Sequence, residues 1–134
     1  MARQKTLNFV VVTPEKQVVE ETADSIVIPM HDGELGILPD RAPLMCELGI
    51  GQMRYQKAGR TRRLYIDGGF AQVLGNHVTV LTEHAAPAEE ITDEMIAEAE
   101  QKAADEKAHT QEAVAARRRA HRRAATLRDL RARP

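Results

Sequence analysis

The sequence predicts an α+β protein, with an N-terminal antiparallel β-sandwich followed by a C-terminal α-helical hairpin. Over about residues 4–84, short β-rich runs alternate with glycine and proline turns, and no helical period appears. This pattern is typical of a sandwich or flattened barrel. From residue 87 onward, alanine and charged residues recur at helical spacing instead. We therefore assign residues 1–86 to the sandwich and residues 87–134 to the hairpin.

The first three strands are predicted from alternating apolar residues. Thr13-Pro14 closes the first run, while the second covers Lys16–Glu21 and the third covers Asp24–Met30. Pro29 lacks a backbone N–H, which places the end of the third strand at a sheet edge. The side chains expected to face the core are Leu7, Phe9, Val11, Ile26, Ile28 and Met30.

A stretch rich in glycine and proline follows, over residues 32–44. Gly33 and Gly36 can adopt positive φ, and Pro39 and Pro43 fix φ and remove backbone donors. The backbone is therefore expected to turn repeatedly here. We interpret the whole stretch as a surface loop rather than a strand.

Glycines also divide the remainder of the sandwich. Gly75-Asn76 stands between two β-rich runs and supplies the positive φ that a tight hairpin requires. Ala58-Gly59-Arg60 predicts a second hairpin loop. Gly68-Gly69 predicts a kink, and Gly49-Ile50-Gly51 predicts a turn or bulge.

The hairpin is predicted from helix-start signals and from stripes of small residues. Thr92 is a good N-cap, and Asp93 and Glu94 lie in the first turn, where the helix dipole favours negative charge. His109-Thr110 is the best break before a second helix that ends near Leu130. The stripe residues are Ile96, Ala99 and Ala103 with Met95 at the margin, then Ala113, Ala116, Ala120, Ala124 and Leu127.

A seam made mostly of alanine holds such a hairpin weakly. A buried alanine methyl contributes about 0.8 kcal/mol, whereas a buried leucine contributes about 1.5–3 kcal/mol. The formal charge is −1 for the whole chain but −4 for residues 92–107 and +6 for residues 108–134. Opposite charges favour the folded hairpin by a modest amount that salt screens. We therefore expect reversible docking, which an acidic partner can overturn.

No catalytic constellation is present in the sequence. Ser25 is the only serine and has no GxSxG context, and the five histidines are scattered. Residues 33–36 lack the Lys-Ser/Thr ending of a phosphate loop. Asp32, Glu34 and Asp40 lack the ligand spacing of a calcium loop. We predict neither a catalytic residue nor a metal site.

The single cysteine excludes an internal disulfide, and no spacing suggests structural zinc. Cys46 alternates with Leu44 and Leu48 on the predicted inner face. Buried cysteine commonly behaves as a small apolar residue, so we expect core packing rather than a reactive thiol. No apolar run approaches the roughly 20 residues that a membrane helix needs.

The strongest electrostatic feature is an arginine-rich segment in the second helix. Arg118, Arg119 and Arg122 are predicted to lie opposite the alanine seam. Such a face suits an acidic protein surface, nucleic acid or solvent alone. No aromatic residue follows Phe70, so base stacking cannot come from this arm. A sandwich adaptor with a nucleic-acid-binding helix therefore remains the alternative function.

Residues 33–44, Gly-Glu-Leu-Gly-Ile-Leu-Pro-Asp-Arg-Ala-Pro-Leu, resemble the signature of the ε subunit of F-type ATP synthases, called δ in mitochondria. The opening Leu7–Pro14, the Gly68-Gly69-Phe70 entry, the Gly75-Asn76 hairpin and the two-helix tail occur in the expected order. The resemblance therefore covers essentially the whole chain. It implies a non-catalytic central-stalk subunit that couples proton-driven rotation to ATP synthesis and inhibits ATP hydrolysis through its C-terminal helices.

The resemblance also implies partners and positions for particular residues. The sandwich would bind the γ subunit and the c-ring, with His31, Asp32 and Glu34 in the loop that faces the c-ring. Arg41 replaces the histidine that is usual between the two prolines and would lie near the rotor interface. Arginine keeps a positive charge but is larger and does not titrate at physiological pH.

In the hairpin, the resemblance sets Arg118, Arg119 and Arg122 against an acidic segment of the catalytic β subunit, with the non-catalytic α subunits also in contact. The membrane would be reached only through partner subunits, and no nucleic acid would be bound. Since no transit segment is seen, we expect a peripheral position on the cytoplasmic face of a bacterial plasma membrane rather than an imported organellar protein, with an organelle-encoded origin as the alternative.

Some members of this family bind ATP through an Ile/Leu-Asp-x-x-Arg-Ala motif at the first helix. Here Asp93 and Ala97 match the motif, but Thr92 is inserted and Ile96 replaces the arginine. The substitution removes a charge that would pair with phosphate. We therefore predict that regulatory ATP binding is weak or absent and that the chain carries no cofactor.

Overall fold

The computed structural model of the protein describes residues 5–105 and 110–132. It confirms the predicted fold class, a β-sandwich followed by two helices. The strands are β1 (Leu7–Val12), β2 (Gln17–Ala23), β3 (Ser25–Met30), β4 (Gly33–Ile37), β5 (Leu44–Lys57), β6 (Arg60–Leu74), β7 (His77–Leu81) and β8 (Ala85–Pro87). A short 3-10 turn at Ala88–Glu90 leads to α1 (Asp93–Asp105) and α2 (Gln111–Ala132).

The strands of the described residues form one sheet in the order β2-β1-β7-β6-β5-β3-β4, with β8 paired to β6. Only β1 and β7 run parallel within this part of the chain. The long strands β5 and β6 belong to both layers of the sandwich. Residues 70–74 of β6 pair with β7, whereas residues 64–66 pair with β8. The first layer thus holds β2, β1 and β7, and the second holds β8, β3 and β4.

A glycine pair in β6 carries the strand from one layer to the other. Ile66 and Ala71 both face the main core although they differ in parity, so the inward face changes between them. Gly68 and Gly69 lie at this point with φ of +68° and +102°. A Cβ on Gly69 would lie 1.8 Å from the carbonyl oxygen of Leu81. The predicted kink is confirmed, and it lies within a continuous strand.

The prediction of a turn or bulge at Gly49-Ile50-Gly51 is confirmed on the side of β3. The pairing moves from Val27 with Arg54 to Met30 with Leu48, so β5 holds three more residues than β3 across these glycines, while its register with β6 stays regular. The glycines also serve close packing, because a Cβ on Gly49 would lie 2.7 Å from the carbonyl oxygen of Met30. Only glycine lets β3 approach β5 this closely.

The prediction that residues 32–44 form a loop throughout is also wrong. Gly33–Ile37 forms β4, which pairs with β3 at the edge of the sheet. Leu35 and Ile37 alternate toward the core on this strand. Glycine and proline dominated the local signal, but β3 supplies hydrogen bonds and a core face that composition does not reveal. Residues 38–43 remain outside the regular strands.

Two details at the sheet edges differ from expectation. Pro29 lies inside the sheet, since β3 stands between β4 and β5. The register between β3 and β5 is irregular between Val27 and Met30, and this irregularity accommodates the missing donor. Residues 85–87, where the pattern predicted only the change from sandwich to hairpin, form β8 against β6.

Both predicted tight turns are confirmed. Ala58 and Gly59 have φ of +53° and +77° and connect β5 to β6. Gly75 and Asn76 have φ of +58° and +64° and connect β6 to β7. Positive φ at both central residues matches the twist of the flanking strands.

The main core lies between the two layers and is mostly aliphatic, with Phe9 and Tyr55 as its aromatic members. Five of the predicted inward residues are at most 2% exposed, and Met30 packs partly buried against them. Cys46 also packs partly buried against this core, in agreement with the prediction, and burial raises the pKa of its thiol. The five are Leu7, Phe9, Val11, Ile26 and Ile28.

The two helices begin where the capping signals predicted. Thr92 Oγ1 accepts the backbone N–H of Met95 at 3.2 Å, and Thr110 Oγ1 accepts that of Ala113 at 3.0 Å. His109, the other half of the predicted break, lies outside the described residues. The alanine stripes are buried at Ala103, Ala120, Ala124 and Leu127, and Leu130 extends the second stripe.

The hairpin also packs on the outer face of the second layer. Ile50 and Tyr65 of the sheet meet Leu127 and Leu130 of α2 in a second apolar cluster. Ile91, from the segment between the 3-10 turn and α1, is 1% exposed in the same cluster. The sandwich and the hairpin therefore share an interface in this structure.

Candidate interaction surfaces

The turn between β3 and β4 brings together the three residues predicted to face the c-ring. His31 and Asp32 form the turn, and Glu34 follows on β4. His31 Nε2 lies 3.1 Å from a carboxylate oxygen of Glu47. Arg54 donates two hydrogen bonds to Glu34, at 2.5 and 3.1 Å, and these bonds lower the pKa of that carboxyl. The turn is thus exposed but anchored to β5.

The loop of residues 38–43 is fastened at a different place. Asp40 has φ of +66°, donates its backbone N–H to Asn76 Oδ1 at 2.6 Å and pairs with Lys5 at 2.5 Å. The hydrogen bonds from Lys5 and Asn76 lower the pKa of Asp40. Arg41 follows, and its Nε is buried with no hydrogen-bond partner among the described residues.

An apolar surface lies on the outside of the first layer. Its members are Met45, Phe70, Leu74 and Leu81, which we call the apolar face. Each is at least 52% exposed. Phe70 is paired with Leu81, and Met45 with Gln72, so the face spans β5, β6 and β7. Sequence reasoning missed it, although apolar residues at both parities of the 70–74 run were a visible signal.

The basic residues of α2 are divided between solvent and the sandwich. Arg118 and Arg119 are exposed, and neither has an ion pair within residues 5–105 and 110–132. Arg122 is exposed too, but it also donates its Nε–H to the carbonyl oxygen of Ile50 at 2.6 Å, a contact that the sequence did not predict. The reason is that α2 packs on the sheet as well as on α1, so part of its polar side meets β5.

Charged contacts fasten α2 to the rest of the chain. Arg123 Nε lies 2.8 Å from Asp67 Oδ2, and the Asp67 side chain is only 7% exposed. The Tyr65 hydroxyl donates to the same oxygen at 3.2 Å. Burial, with the nearby Asp67 charge, raises the pKa of the Tyr65 phenol well above its ordinary value. Sequence reasoning did not identify this group, because Arg123 lies 56 residues from Asp67 along the chain.

A second set of contacts lies at the ends of the helices. Arg131 donates to the carbonyl oxygen of Ile91 at 2.7 Å and pairs with Asp93 at 3.0 Å. Gln52 donates to Asp129 at 3.0 Å.

A cavity of about 550 Å³ remains between the hairpin and the sandwich. Its lining includes Lys16, Asp67, Glu83, Met95, Lys102 and Arg123.

The partial ATP motif is found at the start of α1. The carboxylate of Asp93 forms an ion pair with Arg131, and Ala97 is exposed. Ile96, at the place of the motif's arginine, packs against the apolar cluster between hairpin and sandwich. In the described residues, no three His, Cys, Asp or Glu side chains are grouped in a way that suits a metal ion. Neither helix there is long and apolar enough to cross a membrane.

The chain thus combines a β-sandwich that exposes an apolar face with a docked basic hairpin, and large exposed apolar faces commonly mark contacts with other proteins. Residues 6–88 match the family model described as ATP synthase, Delta/Epsilon chain, beta-sandwich domain. The chain belongs to the ATP synthase delta/epsilon family, which confirms the resemblance found in the sequence.

Similar sequences from bacteria support the same family assignment. The chain is 45% identical over 103 residues to an ATP synthase epsilon chain of Pelotomaculum thermopropionicum, covering 77% of this chain and 76% of the relative. It is 38% identical over 111 residues to an ATP synthase epsilon chain of Nitratidesulfovibrio vulgaris strain DP4, covering 83% of each.

Two solved structures share the fold. The first, from the Euglena gracilis mitochondrial ATP synthase (OSCP/F1/c-ring), has a TM-score of 0.70 and 24% identity, covering 95% of this chain and 80% of that chain. The second, from the Tetrahymena thermophila mitochondrial ATP synthase (central stalk/c-ring), has a TM-score of 0.59 and 15% identity, covering 96% of each.

Proposed function

We propose that the chain is a non-catalytic subunit of the central stalk of an F-type ATP synthase. It couples proton-driven rotation to ATP synthesis and inhibits ATP hydrolysis through its two C-terminal helices. The family match over the sandwich is the observation that carries this proposal. The hairpin, which is joined to the sandwich by a small apolar cluster and a few polar contacts, supplies the movable part that inhibition requires.

The apolar face is the proposed contact for the γ subunit. Exposed apolar groups of this size commonly mark protein interfaces, since burying them releases water. The face lies on the first layer, whereas the hairpin covers the second. A γ subunit can therefore stay bound there while the hairpin moves.

The turn between β3 and β4 is the proposed contact for the c-ring, through His31, Asp32 and Glu34. These side chains suit polar loops, and the pairing of Glu34 with Arg54 holds the turn in a defined position. Arg41 is proposed to lie near the rotor interface. Its buried, unpartnered Nε would gain a hydrogen bond if a partner placed an acceptor there.

The hairpin is proposed to act by opening and inserting α2 among the catalytic β and non-catalytic α subunits. Arg118 and Arg119 are already exposed and suit an acidic segment of β. Arg122 must first leave the carbonyl oxygen of Ile50. The inserted helix would then block rotation in the direction of hydrolysis.

We further propose that ATP binds this chain weakly or not at all. Ile96 offers no charge for a phosphate and is packed against an apolar cluster. In the cell, the chain would lie peripherally at the cytoplasmic face of a bacterial plasma membrane, held by its partner subunits. We do not propose the nucleic-acid-binding adaptor, because the family match over residues 6–88 supports the ATP synthase subunit instead.

The test uses the assembled enzyme with the intact chain and with a chain that ends before Thr92. We expect the shortened chain to co-purify with γ, because the apolar face is retained, and ATP hydrolysis to increase because α2 is gone. Loss of γ binding would contradict the assignment of the apolar face. Unchanged hydrolysis with intact assembly would contradict inhibition by the helices.

A further inference from the structure

Asp67 is the only charged residue that is buried in the described part of the chain. It lies at the interface of sandwich and hairpin, apart from the apolar face and from the turn between β3 and β4. Its backbone N–H donates to Thr82 Oγ1 and to the carbonyl oxygen of His84, each at 3.1 Å. The backbone of Asp67 is therefore held by contacts within the sandwich.

The cation that pairs with Asp67 comes from the hairpin. Arg123 Nε lies 2.8 Å from Oδ2, and no other basic side chain of residues 5–105 and 110–132 forms an ion pair with this carboxylate. The neutral Tyr65 hydroxyl is its other side-chain partner. When the hairpin is docked without a cation at position 123, a buried carboxylate is left unpaired, which is strongly unfavourable.

The rest of the interface is limited in extent. The second apolar cluster contains only six buried residues, and a cavity of about 550 Å³ interrupts the contact beside Asp67. A single charged contact therefore has a large influence on whether the hairpin is docked.

We infer that Asp67 and Arg123 form a charge latch, which permits the hairpin to dock only when Arg123 is seated over Asp67. When the hairpin leaves the sandwich, water solvates both Asp67 and Arg123, so the released state contains no buried unpaired charge. An acidic partner that attracts Arg123 removes the cation that docking requires. The functional consequence rests on the proposed inhibition by α2, but the latch itself belongs to the isolated chain.

The experiment measures docking in the full-length isolated chain by the distance between two spin labels. The labels are attached at Gln72→Cys on the outer face of β6 and at His121→Cys on α2, both exposed positions, with Cys46→Ser in the background. The variants are Arg123→Gln, Asp67→Asn and the combination of the two. Arg128→Gln is the matched control, because Arg128 pairs with Glu100 inside the hairpin.

We expect Arg123→Gln to raise the ratio of released to docked chains at least about tenfold, because it leaves Asp67 buried and unpaired. Asp67→Asn should have a smaller effect, since Arg123 is 36% exposed and keeps contact with water. The double variant should return toward Asp67→Asn, because no buried charge remains. Arg128→Gln should resemble the parent.

The latch is overturned if Arg123→Gln moves the ratio no more than Arg128→Gln does. It is also overturned if the double variant is as open as Arg123→Gln alone. Circular dichroism of each variant shows whether the sandwich has stayed folded, and the double variant supplies the comparison if Asp67→Asn is unstable. Release without any change in ATP hydrolysis by the assembled enzyme would support the latch and contradict the proposed inhibition.

Discussion

The apolar half of the hairpin interface offers a sharp prediction at Leu130. This side chain is 0% exposed and belongs to the cluster with Ile50, Tyr65 and Ile91. Leu130→Ala removes three carbons from the contact between α2 and the sandwich. Val114→Ala is the matched control, because Val114 lies on the same helix and is 36% exposed.

The magnitude follows from the burial of Leu130. Leucine to alanine in a core costs about 2–5 kcal/mol, and we take about 2–3 kcal/mol because the end of a helix can adjust. Each 1.36 kcal/mol corresponds to about a tenfold change in an equilibrium. The released fraction should therefore rise about 30- to 150-fold, while the sandwich core stays unaltered.

Trypsin provides the assay, because α2 is rich in arginine. Cleavage of an opened segment follows the population of the open form when opening and closing are fast. Cleavage after Arg123 should accelerate in Leu130→Ala by the predicted factor, whereas Val114→Ala should change it by about twofold or less, since alanine also favours helix. Equal rates in the two variants would refute the docked arrangement.

Three further predictions concern the sandwich. Gly69→Ala should lower the free energy of unfolding in urea by more than about 3 kcal/mol, because the new Cβ would lie 1.8 Å from a backbone oxygen. Gly75→Ala is the control: this glycine has φ of +58° but open space around it, so the loss should be about 1–2 kcal/mol. Similar losses in the two variants would contradict the strand bend at Gly69. Phe70→Glu should weaken the binding of γ at least about tenfold in titration calorimetry, whereas Gln56→Glu on the second layer should leave the affinity unchanged. Equal effects of the two substitutions would contradict the assignment of the apolar face to γ. Arg54 lowers the pKa of Glu34 from 4.5, so the stabilisation that this carboxylate gives the folded chain is present above pH 4.5 and is lost as the pH falls through the folded pKa. The difference in Tm between the parent and Glu34→Gln should therefore shrink toward zero at acidic pH. A difference that does not change with pH would rule out the ion pair as its source.

Local chemistry explains which features were predictable from sequence. The turn at Gly75-Asn76 and the cap at Thr92 depend on residues adjacent in the chain, and both were found where expected. The alanine stripes depend on spacings of three and four, which a helix converts into one face. These features require no knowledge of distant partners.

Other features depended on neighbours far away in sequence. β4 was hidden because Gly33 and Gly36 weaken its pattern, and the strand forms because β3 is beside it. Arg122 was predicted only to lie opposite the alanine seam, and no nearby residue indicated its contact with Ile50, which is 72 residues away. No local window contains such a contact.

Gly68 and Gly69 show where the division falls. Their positive φ follows from glycine itself, so the order of residues was enough to define a kink, just as it defined the turns, the caps and the family signature at residues 33–44. Only the folded chain decided that the kink carries β6 between two layers, that Phe70 faces outward and that Arg123 is seated over Asp67. The reason is physical: burial and charge pairing depend on which residues contact each other in space. One sequence pattern is compatible with many different sets of contacts until the chain has folded.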